Sequence, residues 1–158
     1  MKRFRLFMVA LLPAAFVLWT TPLLAQESVA PDGQFGIQAG THGLGAQYAL
    51  SPSLHLGSTI GVLFGDVQTD INLGPYVKFL LEGEINPMFK VGADLTLPEV
   101  GDSQVDIWAA FGLEYFVTSN VGVFGCVDIF RYRASPDPTS TTVGLFSSGH
   151  VGIEMFID

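Results

Sequence analysis

The sequence predicts an all-β chain, an eight-stranded antiparallel up-and-down transmembrane β-barrel. Three observations predict it. Apolar and polar residues alternate with a period of two along nearly the whole chain after residue 33, as strands with two unlike faces require. The composition is 49% hydrophobic and 14% charged, with 18 glycines and 13 phenylalanines. The charged share falls well below the roughly 25% of a soluble domain. Finally, the polar face of the strands is sparse and glycine-rich, which suits a crowded interior better than a wetted surface.

The alternation is clearest from Asn86 to Leu97. There Phe89, Val91, Ala93, Leu95 and Leu97 share one face, and Met88, Lys90, Gly92, Asp94 and Thr96 share the other. The length of 158 residues suits one domain. The single cysteine, Cys126, rules out an internal disulfide and a cysteine-rich zinc site. Formal net charge is −8 and no basic patch exists, so nucleic acid is not an expected partner.

Residues 1–25 read as a signal peptide. Lys2, Arg3 and Arg5 precede the apolar run Leu6 to Trp19, and Thr20 to Ala25 ends in a small residue. Cleavage is expected between Ala25 and Gln26. The chain that remains keeps four cations, Lys78, Lys90, Arg131 and Arg133, against fifteen acids, a net charge of −11. Residues 26–33 form a periplasmic lead, and 34–158 the barrel domain.

Eight strands follow in order. The first is Gln34 to Gly40, with Phe35, Ile37 and Ala39 on its apolar face. After the very short Thr41–His42 reversal comes Gly43 to Leu50, with Leu44, Ala46 and Tyr48. Ser51-Pro52-Ser53 is a tight turn into Leu54 to Phe64. The fourth is Ile71 to Leu81, where Pro75 removes a ladder hydrogen bond and predicts a local bulge. Glu82 to Asn86 leads to the fifth strand, just described. The sixth, Gln104 to Val117, sets Val105, Ile107, Phe111 and Tyr115 against Asp106, Trp108, Gly112 and Glu114. Thr118-Ser119-Asn120 turns into the seventh, Val121 to Tyr132. The loop Arg133 to Thr142 precedes the eighth, Val143 to Asp158. Tight turns at one end and mostly longer loops at the other are the layout of an outer-membrane barrel.

On this reading the apolar face meets lipid, and its one charge is Arg131, near the loop rim and placed to snorkel toward lipid phosphates. Phe35, Tyr48, Phe79, Phe89 and Tyr115 fall near the tight-turn end as a lipid-facing girdle. The enclosed face carries Lys78, Lys90, Glu114, Glu154, Asp94, Asp106 and Asp128, together with Trp108, Phe116, Phe124, Phe130 and Phe146. Two lysines facing two glutamates would neutralise each other where unpaired charge is costly. Asp94 falls opposite Asp106, an unfavourable like pair. The reading favours a shifted register or a protonated carboxyl there, because two carboxylates are too few for a metal.

The pattern resembles the small eight-stranded outer-membrane barrels, the group of the OmpA transmembrane domain, OmpX and the opacity-type proteins. Gly43-Leu44-Gly45-Ala46-Gln47-Tyr48-Ala49-Leu50-Ser51 is similar to their second strand and turn, and the likeness runs from Gly33 to the C-terminus. The last strand, with His150, Gly152, Met155 and Ile157, is similar to their assembly signal, though it ends at Ile157-Asp158 instead of an aromatic residue. The resemblance implies a lumen plugged by ion pairs. It also implies outer-membrane lipid, lipopolysaccharide and the barrel-assembly machinery as partners, a monomer, and periplasmic termini.

No enzyme is expected. His42, His55 and His150 lack the His-x-Ser spacing of a lipid A deacylase. Ser148 and His150 share a face but have no evident orienting acid. No catalytic residue, metal or cofactor is assigned. The other readings are a narrow ion pore and a soluble periplasmic β-barrel binding a small ligand.

Overall fold

The computed structural model describes residues 31–64, 69–134, 143–144, 146 and 148–157. The signal peptide, its cleavage bond, residues 26–30, the loop residues 135–142 and Asp158 lie outside the described residues. The strands are β1 (Phe35–Gly40), β2 (Gly43–Ser51), β3 (Leu54–Phe64), β4 (Thr69–Leu80), β5 (Asn86–Pro98), β6 (Gln104–Thr118), β7 (Val121–Ala134), β8 (Val143–Gly144) and β9 (Gly149–Ile157). Each strand from β1 to β7 pairs antiparallel with the next, and β9 lies between β7 and β1. The ring is therefore a closed eight-stave, up-and-down barrel. The eighth stave is not the continuous strand the sequence predicts. Two-residue β8 pairs with β7 alone, and the ladder resumes at Gly149.

Closure pairs β1–β7 and β9 on both sides, so a small antiparallel sheet can satisfy most of its own backbone, and only the two-residue β8 is paired on one side. At the two-residue β1–β2 reversal, Gly43 takes a φ of 103°. That left-handed value favours glycine and lets the ladder turn so tightly. Inside, glycines make room for rings. A Cβ on Gly92 would meet Trp108 Cζ2 at 2.6 Å, and one on Gly152 would meet Phe124 Cζ at 2.5 Å. Met88, Leu80, Phe116 and Phe156 fill the tight-turn end.

Burial is inverted, as the alternation predicts. Lys78, Lys90, Asp94, Asp106, Glu114, Asp128 and Glu154 are all buried. Large apolar side chains stand exposed on every stave, among them Ile37, Leu44, Ile60, Phe79, Phe89, Ile107, Val127 and Ile153. Phe35, Tyr48, Phe79 and Phe89 point outward, with Tyr115 half-buried. Phe35 stands directly opposite Tyr48, and Phe79 opposite Phe89.

Other expectations fail as well. No bulge forms at Pro75. Pairing with β5 lapses at Gly74 and Pro75 and resumes at Tyr76 in the same register, so the missing N–H costs pairing without shifting the strand. The register shifts lie elsewhere: beside tight turns at Ala49/Ser51 and Phe116/Thr118, and within β7, where Ala109 pairs with Phe130 but Ala110 pairs with Asp128. The unpaired residue between, Ile129, reverses the alternation beyond it. Phe130 therefore faces out and Arg131 faces in, the opposite of the sequence reading for both. Phe146 is not interior either. It sits at a bend between β8 and β9 with a φ of 55° and is 73% exposed.

Candidate functional site

The charged lumen has two tiers. In the lower tier, Lys78 of β4 reaches across the barrel to Glu114 of β6 and Glu154 of β9, both at 2.9 Å. Gln47 Nε2 donates to Glu154 Oε2 at 2.7 Å. The Tyr76 hydroxyl lies 3.1 Å from Gln38 Oε1 and 3.2 Å from Gln47 Oε1. One ammonium thus joins two carboxylates from different staves, and amides complete the shell. Buried charge is tolerable on those terms.

Lys90 does not join this tier, contrary to the expected pairing of two lysines with two glutamates. It stands directly opposite Lys78 on the neighbouring strand. Both glutamates converge on Lys78. The Lys90 ammonium instead lies 4.2 Å from the Tyr76 ring centre and 4.7 Å from that of Phe124. Aromatic faces attract a cation without carrying formal charge. The two lysines thereby avoid competing for one partner.

The upper tier is built on Arg131. Its Nη1 bonds Asp94 at 3.0 Å and Asp106 at 3.1 Å, and its Nε bonds Asp128 at 2.9 Å. Arg133 adds a bond from Nε to Asp106 at 2.9 Å. Asp94 does pair with Asp106 in the β5–β6 register. The register is not shifted, and no neutral carboxyl is needed. The Arg131 guanidinium, turned inward by the β7 bulge, lies between the two acids. It is unavailable to snorkel outward.

His150 Nε2 is 2.9 Å from Asp128 Oδ1, so this histidine does have an acid beside it. Its ring meets that of His42, in the β1–β2 turn, edge-on with centroids 3.7 Å apart. Burial, and then the proximity of His150, lower the His42 pKa from its ordinary value. Of the assembly-signal residues, His150 and Gly152 line the inner face, while Met155 and Ile157 point out. Between the tiers lies a chamber lined by Tyr76, Lys90, Trp108, Phe124, Cys126 and His150, bounded toward the rim by Thr41 and His42.

No family model matches the chain, and no curated protein matches it. One solved structure is similar. It is described as "De novo design of transmembrane beta-barrels", with a TM-score of 0.41 and 19% identity over 80% of this chain and 98% of that one. A likeness at that score carries no weight here, and the barrel rests on this chain's own ladder pairings.

The interior placement of the lysines, aspartates and glutamates on the strands was readable from alternation, and that of Arg131 was not. The polar partners Gln38, Gln47 and Tyr76 were not singled out, although each lies on the same face as a lumen charge. Buried His55, edge-on to Phe156 at 5.5 Å, is likewise a lumen residue on the face of Lys78, its partner in the β3–β4 register.

Proposed function

We propose that this chain is an outer-membrane β-barrel protein with a side-chain-plugged lumen and a structural or surface-interaction role. On this proposal it is of the kind of the OmpA, OmpX and opacity-type group that the sequence resembles. The observation that carries this is the inverted burial. A soluble barrel or sandwich buries its apolar face and wets its charged one. Here seven charged strand residues are buried, and exposed apolar side chains occur on every stave. Such an exterior suits hydrocarbon, and a closed ring satisfies the backbone there. On this proposal outer-membrane lipid and lipopolysaccharide surround a monomer whose termini face the periplasm, and the barrel-assembly machinery inserts it. No catalytic step is assigned.

Membrane fractionation with gel mobility before and after boiling tests the proposal. The expected outcome is recovery with the outer membrane and a shift in mobility once the closed barrel is boiled open. Recovery in the soluble fraction without detergent would favour the periplasmic ligand-binding barrel instead. A narrow pore is the second reading. The chamber near His42 favours it, and the Lys78 tier opposes it.

A further inference from the structure

We propose that the chamber between the two ionic tiers binds a small carboxylate anion, with Lys90 as its principal contact. Lys90 is 6% exposed, and among the described residues no carboxylate ion-pairs with it. The rings beside it attract its charge but offer the ammonium's N–H donors no oxygen acceptor. The Trp108 ring borders the same space. The Trp108 indole Nε1–H is buried and has no acceptor among the described residues. A buried donor left unmet costs about 1–3 kcal/mol.

The neighbouring carboxylates do not meet this need. Glu114 and Glu154 bond Lys78, while Asp94, Asp106 and Asp128 bond Arg131. A carboxylate entering the chamber would accept from Lys90 and lie beside the Trp108 ring, whose indole N–H reports its arrival. Tyr76, Phe124 and Cys126 give a short apolar tail a surface to lie against. A single cation suits a monoanion; a dianion would bring buried charge that nothing there compensates. Entry runs past Thr41 and His42, where the two-residue reversal and the six residues of β1 keep the wall low.

The test uses the full chain refolded in nonionic detergent, with Trp19→Phe in every sample so that Trp108 gives the only indole N–H resonance. Acetate is titrated, with acetamide as its neutral isostere. A saturable shift of the resonance with acetate, absent with acetamide, is expected. Lys90→Met should abolish the shift and Lys90→Arg should keep it. An equal response to acetamide, a shift that never saturates, or no response to acetate would overturn the proposal. So would an unchanged response in K90M. If K90M does not refold, the contrast between acetate and acetamide on the parent barrel decides.

Discussion

Arg131 carries more of the lumen than any other single side chain, because three acids depend on it. Removing one member of a buried ion cluster leaves uncompensated charge and costs roughly 3–5 kcal/mol. Arg131→Ala should therefore lower the denaturant midpoint of the refolded barrel by a corresponding amount. Adding Asp94→Asn and Asp106→Asn should restore part of the loss, since fewer carboxylates are then stranded. A triple variant no more stable than Arg131→Ala would show that Arg131 acts by packing instead. Alternation showed the lumen face of Lys78, Lys90, Asp94, Asp106, Glu114, Asp128 and Glu154 but not of Arg131, which the β7 bulge turns inward. Which charges meet across the lumen was not readable. Lys78 meets Glu154 from 76 positions away, and stagger around the ring sets that contact.

At the scale of the strand, the decisive feature is the extra residue in β7. Strand bounds were legible to within about two residues for the first seven staves, because turn residues and alternation mark them together. The bulge at Ile129 has no comparable mark, and missing it misplaced both Phe130 and Arg131. Pro75 gave the reverse error, a conspicuous residue with no register shift. Deletion offers a direct test. Removing Ile129 should collapse the bulge while keeping Asp128 and Arg131 inward, so the barrel should still refold and shift on boiling. Removing Val127 should turn Asp128 outward and strand Arg131 and His150, so refolding should fail. Equal behaviour of the two deletions on the gel would contradict the bulge's role in setting the phase.

For the molecule as a whole, the Lys78 tier closes the lower lumen with one cation between two anions. Lys78→Met should leave Glu114 and Glu154 repelling each other and loosen that closure. In planar bilayers its single-channel conductance should exceed that of the parent barrel, and Glu114→Gln combined with Lys78→Met should reduce the excess. Unchanged conductance in Lys78→Met would mean that the apolar floor of Met88, Phe116 and Phe156 alone seals the tube. The stave count and the inverted exterior were legible because both repeat along the chain. The break between β8 and β9 was not, since the predicted eighth strand reads as one unbroken run of residues.

The closing seam has a further consequence for biogenesis. β1 meets β9 through pairs such as Phe35 with Ile157 and Gly40 with Gly152, which join the first described strand to the last. The pairings from β1 through β7 can form in chain order as the strands are delivered, but both ladders of β9 wait for residues 149–157. A molecule truncated before Gly149 would be left as an open, curled sheet with two adhesive borders. Quality control therefore has a single late event to monitor, and proteases should find half-made copies far easier prey than finished ones.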